Sequence, residues 1–329
     1  MNTGKSNIAK RIFGIVTIPV GTLLVFYLIC AFRGIAFFET SNHVLIFCRT
    51  VATVTLTTFA LSINLDSGRF DFSLGSIALL ASVIGSTVAS QHGFTAIGML
   101  AVTLAVGLLL GAFSGLVYVV LKLPAIITSL GVTLMYEAGA FIFTGGFGVS
   151  FTTNTELTTF SNSITNMIIV TVVALVFVIV VFNYTKFGYD YYALKNGQKV
   201  ALNTGVKEKV NAIVCYTIAG TMMSMVGYIN ASLTGTIQMS MNFSSITAMF
   251  TAFLPLFIGG FIGRFSENHF GMVLGSATFA IISLGFVRLG LSSEAQSMVS
   301  AVVLVAFLIY LNNEHSIIAL VTGKKKSNS

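Results

Sequence analysis

Charge is what this chain has least of. Only 8% of its 329 residues are Asp, Glu, Lys or Arg, while 55% are hydrophobic. A soluble domain carries about a quarter charged residues, so a water-soluble globular fold is excluded and a polytopic, all-α membrane protein remains. Cysteine is as sparse. Cys30, Cys48 and Cys215 are scattered through apolar runs with no CxxC, which leaves no disulfide framework and no thiolate metal site. The four histidines, His43, His92, His269 and His315, fall near predicted helix ends and make no HExxH or other close ligand pair. Gly4-Lys5-Ser6 lacks the upstream glycine and strand of a phosphate-binding loop, so the chain has no visible means of binding ATP. Enzymatic activity, a bound cofactor and a metal site are therefore not expected.

What the chain has in abundance is apolar runs. Windows of about 20 residues suit a bilayer core of about 30 Å, and ten such spans are predicted: Phe13–Phe32, Val44–Leu65, Phe72–Val88, Ala96–Leu121, Ile126–Thr144, Met167–Asn183, Val210–Leu233, Ser245–Ile262, Phe270–Val287 and Ala295–Leu311. The first is too long for a signal-peptide core and is followed by no small-x-small cleavage site. Net charge is +7. The alternation puts 14 of the 17 Lys and Arg on the side of both termini, which the positive-inside rule makes cytoplasmic. The segment from Gly145 to Asn166 has neither Lys nor Arg, as an external loop should. The basic excess is thus a topology signal and not a nucleic-acid one.

The longest polar interruption, Tyr184 to Val210, carries Lys186, Lys195, Lys199, Lys207 and Lys209 against Asp190 and Glu208. It reads as a cytoplasmic loop with a short helix at its centre, N-capped by Asn196, running from Gln198 to Thr204 and ended by Gly205. Elsewhere, polar residues mark particular faces. Arg49, Thr53, Thr57 and Asn64 share one stripe of the second span. Two readings stay open for that stripe: interhelical hydrogen bonds, or a lining of a watery path. Gly107, Gly111 and Gly115 form a small-xxx-small packing seam in the fourth span. Asp71 or Ser73 can cap the third, whose small residues, from Gly75 through Ala78 and Ser82 to Ser86, make it slim enough to stand beside a cavity. Glu137 is the lone acid of the fifth span; a hydrogen bond to backbone is favoured over a proton site.

Several of these stretches resemble one family. Phe70 to Ser76, FDFSLGS, is similar to the [I/F]-D-L-S-V-G-S signature of the ribose/galactoside-type sugar permeases of bacterial ABC importers. Leu123 to Gly131, LPAIITSLG, is similar to that family's L-P-x-[F/I]-I-x-T-L-G, and Thr144-Gly145-Gly146 to its T-G-G. From Gly188, GYDYYALKNGQKVALNTGV resembles its G-R-x-x-Y-A-x-G-x-N-x-x-A-A-x-x-S-G-I loop. Val200, Thr204, Lys195 and Gly197 depart from that pattern, and IGGFIGRFSENHFG, from Ile258, lacks the later glycines of the family's I-G-G-x-S-L-x-G-G-x-G.

The resemblance implies one transmembrane permease domain over residues 1–329, with segment 184–210 coupling it to partners. It implies an importer of a sugar or related small polar solute in the bacterial cytoplasmic membrane, working by alternating access. Its partners would be a cytoplasmic ABC ATPase dimer, which hydrolyses the ATP, a solute-binding protein outside, and a second permease subunit, identical or not. Asn196, Gln198, Val200, Ala201, Leu202 and Gly205 would form the coupling helix, with Val200, Ala201 and Gly205 against the ATPase. Arg49, Thr53, Thr57, Asn64, Asp71, Ser73 and Glu137 are the candidates for the translocation path. Spans two to five and seven to ten run in opposite senses, so an inverted repeat is possible. The rival class, an ion-coupled secondary transporter, would rest on Glu137 alone.

Overall fold

Inside a bilayer an apolar run has one way to satisfy every backbone N–H and C=O within a single segment, and that is the helix. The computed structural model, which describes residues 2–292, 295–306 and 308–309, is built of helices accordingly. In chain order they are α1 (Asn2–Phe32), α2 (Ser41–Leu65), α3 (Leu74–His92), α4 (Ala96–Leu121), α5 (Ala125–Thr144), the single turn α6 (Thr155–Thr158), α7 (Ile164–Tyr184), α8 (Lys186–Asn203), α9 (Glu208–Thr234), the short α10 (Thr247–Phe250), α11 (Phe253–Gly263) and α12 (Asn268–Arg288). A further apolar helix, α13, covers Ala295–Ala306. Two-residue strands β1 (Val149–Ser150) and β2 (Thr236–Ile237) pair antiparallel, Val149 opposite Ile237.

Among the described residues, nine segments are long and apolar enough to cross a membrane: α1 from Arg11, α2 to α5, α7, α9, the broken unit Ser244–Gly263 and α12. They match nine of the ten expected spans. The tenth, Ala295–Leu311, begins as α13, and its residues 307, 310 and 311 lie outside the described residues.

Two differences from expectation have local causes. The third span starts at Leu74 instead of Phe72, because the Asp71 side chain bonds the Ser73 N–H and holds the preceding residues in a turn. The polar segment after α7 is not a loop with a central helix but helical nearly throughout. The Thr185 side chain caps it by accepting from the Gly188 N–H at 3.3 Å, and Phe187, Tyr191 and Leu194 supply an i, i+4, i+7 apolar stripe that packs inward.

Packing follows the glycines. Gly107, Gly111 and Gly115 of α4 lie on Ser224, Gly220, Tyr216 and Ile213 of α9, close enough that a Cβ on Gly111 would stand 2.5 Å from the Tyr216 carbonyl oxygen. A second seam joins α11 to α12, where Gly271 faces Gly259 and Gly263, and Gly275 faces Pro255 and Gly259. Exchanging spans two to five with seven to ten turns the α4–α9 pair into α12–α2 and the α3–α4 pair into α11–α12. All four pairs are in extensive contact, whereas α3–α9 packs closely and its counterpart α2–α11 only lightly, so the packing follows an inverted repeat in part.

Polar ties gather at the two ends of the bundle. At one end, Lys195 of α8 meets Asp66 at 2.6 Å, Tyr191 donates to the Ile63 carbonyl at 3.2 Å, and Asn183 donates to Glu267 at 3.3 Å. At the other, where α1 and α12 end, Arg288 donates to the Ala36 carbonyl and pairs with Glu39 at 2.7 Å.

Candidate functional site

The entry to α3 is a knot of buried polar groups. Asp71 Oδ1 accepts from the Ser73 N–H at 2.9 Å and from its hydroxyl at 2.7 Å, while Oδ2 accepts from the Asn64 amide at 3.2 Å. Three of the expected path residues thus come together in a two-residue turn just before α3, with Ser73 at the N-cap position. Burial pushes the Asp71 carboxyl up to about 6 in spite of hydrogen bonds from Ser73 and Asn64. Beside it Arg69 is also buried, donating to Cys215 Sγ at 3.5 Å. Asn64 Oδ1, Arg69 Nε and the Tyr216 hydroxyl are buried without a hydrogen-bond partner.

The remaining residues of the α2 stripe separate from this cluster. Arg49 reaches toward the turn before α7, where its guanidinium donates to the Ser161 carbonyl at 3.1 and 2.8 Å and to Asn162 Oδ1 at 3.2 Å. Thr53 and Thr57 bond back to the carbonyls of Arg49 and Thr53 in their own helix. The bonds of Thr53 and Thr57 stay within α2 and those of Arg49 go to the turn before α7; none of the three lines the cavity described next.

Between β2 and α11 the chain re-enters the bundle. A 3-10 turn, Ser244–Ile246, and α10 sit against α3, and Glu137 of α5 holds the turn from the side. Its carboxylate accepts from the Phe243 N–H at 3.0 Å, the Ser245 N–H at 3.0 Å and the Ser245 hydroxyl at 2.5 Å. Gly75 permits the close approach, since a Cβ there would fall on the Ser245 carbonyl oxygen.

This re-entry, α3 and α9 line an open cavity of about 400 Å³. Gly75, Ala78 and Gly227 form its slim walls. Ser82, Asn230, Thr234, Gln238, Ser244 and Thr247 are among the hydroxyl and amide groups that line it, and no ionisable side chain is among its lining residues. Such a lining offers neutral donors and acceptors at many angles and no charge to pair with. The slimness of α3 was legible in the sequence. Asn230, Gln238 and Ser244 were not, because the polar run from Thr234 to Ser245 reads as an ordinary loop between spans.

On α8 the expected coupling residues divide. Gly197, at φ −179° and ψ 83°, breaks the helix, so Asn196 ends the first half instead of capping the second; the second half runs from Gln198 and closes at Gly205, φ 89°. Gln198 is tied to Glu208 at 2.7 Å. Val200 is 69% exposed and Leu202 is exposed too, whereas Ala201 is 3% exposed and turned into its own chain. Of the residues expected to meet an ATPase, Val200, Leu202 and Gly205 are available and Ala201 is not. Below α7, Glu267 caps α12 and accepts from Asn183 and His269. Burial works against its ionisation, but hydrogen bonds from His269 and from the Phe270 N–H outweigh it and hold the carboxyl down at about 2.

Among the described residues no group of three or more His, Cys, Asp or Glu is arranged to hold a metal. The chain is similar to the autoinducer 2 import system permease protein LsrC of Enterobacter sp. (strain 638), 27% identical over 63% of this chain and 64% of the relative, just under two thirds of that relative's length. It is similar to LsrC of Photorhabdus laumondii, 26% identical over 74% of this chain and 73% of the relative. It is also similar to the fructose import permease protein FrcC of Rhizobium meliloti, 26% identical over 78% of this chain and 74% of the relative. The profile of the family described as branched-chain amino acid transport system / permease component matches residues 45–308, from the start of α2 to the last described residues of the final helix, and the chain belongs to that family.

Proposed function

We propose that the chain is the membrane-spanning subunit of an ATP-driven importer that carries a sugar or related small polar solute across the cytoplasmic membrane by alternating access. The observation that carries this reading is the cavity between α3, α9 and the re-entrant turn, with its hydroxyl and amide lining and its lack of ionisable side chains. A neutral, polyhydroxylated solute exchanges water for such groups at little cost, whereas a zwitterionic amino acid would leave its charges unpaired. The relatives' names, which specify autoinducer 2 and fructose, favour the same class.

In this reading both termini and α8 are cytoplasmic, and a dimer of ABC ATPase subunits docks on α8 through Val200. A binding protein delivers solute at the end of the bundle that carries β1 and β2, and a second permease subunit completes the path. ATP acts only through the ATPase, by favouring one facing of the permease over the other. Glu137 argues against the ion-coupled alternative, because its carboxylate is already occupied by three donors.

The test is purification from native membranes followed by uptake of radiolabelled fructose and ribose into proteoliposomes. An ATPase is expected to co-purify, and uptake should require ATP. Val200→Asp removes an exposed apolar anchor worth roughly 2 kcal/mol when buried, so ATPase association and uptake should fall at least tenfold. Lys186→Gln, at the membrane edge of α8, should leave both unchanged. Uptake by the isolated chain under a proton or sodium gradient would overturn the proposal.

A further inference from the structure

The turn that Glu137 holds is under backbone strain. Asn242 and Phe243 are consecutive non-glycine residues in the left-handed region, at φ 58° and φ 66°. Asn tolerates that region, but a Phe there is a genuine outlier and persists only where its surroundings impose it. The structure supplies one such constraint in the carboxylate of Glu137, 1% exposed, which accepts from the Phe243 N–H and from both donors of Ser245. Release of that carboxylate would free the strain and three hydrogen bonds at once.

What lies beyond the turn has room to move. α10 is only four residues long, and Thr247 at its start lines two cavities. On one side is the 400 Å³ polar cavity between α3 and α9. On the other is a cavity of about 660 Å³, lined by Phe250, Thr251 and Leu254 of the re-entrant unit and by residues of α12 and α13. The segment is therefore a thin wall between two spaces, held in place at its strained end by a group from a different helix.

We propose that Glu137 is a positioning residue for transport: a latch that holds the re-entrant segment 242–252 as a closed wall of the polar cavity, and whose release lets that wall move into the space behind it. The proposal rests on the reading of the polar cavity as part of the solute path, and it assigns the gate to this segment and its control to α5. Glu137 neither carries a proton nor touches the solute in this scheme; it acts through the conformation of Asn242 and Phe243.

The experiment uses the complete complex with its ATPase, in proteoliposomes, and Thr247→Cys as a reporter in a background where Cys30, Cys48 and Cys215 are replaced by alanine. Maleimide labelling of the reporter should change with ATP and vanadate when Glu137 is present. Glu137→Gln can no longer accept from all three donors. Labelling should then rise severalfold without nucleotide and lose its response to ATP, and radiolabelled fructose uptake should fall at least tenfold. Adding Phe243→Gly, which relieves the left-handed strain, should restore the nucleotide response of labelling; a carboxylate that only stabilised the fold, or only relayed a proton, would not be rescued in this way. Where Glu137→Gln fails to assemble, Ser245→Ala deletes one of the three bonds and should give a smaller rise in labelling. Wild-type labelling in Glu137→Gln, or in Ser245→Ala if only that variant assembles, overturns the latch. Absence of fructose uptake by the wild-type complex counts against fructose as solute, while the labelling arm still decides the latch.

Discussion

Two buried carboxylates make the same pair of bonds over very different distances along the chain. Asp71 and Glu137 are each 1% exposed, and each accepts from the N–H and the hydroxyl of a serine at the start of an interior helical segment: Ser73 for the first, Ser245 for the second. Asp71 caps a residue two positions on. Glu137 caps one 108 positions away. A local bond costs little chain entropy, and beyond its own turn Asp71 reaches only back to Asn64 near the end of α2. A distant cap ties two helices together, and every motion of one must stretch or break it. The difference predicts that the two acids, equal in burial, are unequal in consequence.

The largest expected effect comes from removing the distant one. Glu137→Ala strands the Phe243 and Ser245 N–H groups in the bundle, at about 1–3 kcal/mol each. Unfolding of the purified protein in detergent should begin several degrees lower than for Asp71→Ala. Equal losses from the two variants would break the comparison.

Asp71→Asn should be milder, about 1 kcal/mol, because the amide oxygen can still accept from Ser73. Its pH dependence sharpens the contrast. The Asp71 carboxyl, at about 6 in the fold, is raised from its ordinary 3.8 chiefly by burial, against hydrogen bonds from Ser73 and Asn64. Between those values the unfolded chain ionises first, so stability contributed by this group falls as pH rises from about 4 to 6. Thermal unfolding across that window should slope downward in the wild type and lose that component in Asp71→Asn. An unchanged slope in the variant would assign the dependence elsewhere.

The smallest effect is expected at Lys195→Gln. The 2.6 Å pair with Asp66 is a partly exposed ion pair, worth less than about 1 kcal/mol. The unfolding temperature should stay within a degree or two of wild type, since Tyr191, Phe187 and Leu194 hold α8 by packing. A larger drop would mean that α8 depends on its charges more than on its apolar stripe.

The membrane class, nine of the spans to within a few residues, the glycine seam of α4 and the start of α3 at Ser73 were all legible in the sequence, because each depends on composition or on residues no more than a turn or two apart. Helix content within α8 was underread, since its three apolar anchors are outnumbered by polar neighbours that hide the periodicity. The exposure of Val200 beside the burial of Ala201 depends on which face α8 turns to α2 and α9. The partner of Glu137, the strained Asn242–Phe243 turn and the polar lining from Asn230 to Thr247 depend on contacts between segments far apart in the chain. Bilayer burial acts on each segment separately and writes itself into composition. The direction in which a polar group points inside the bundle is settled only when the helices meet.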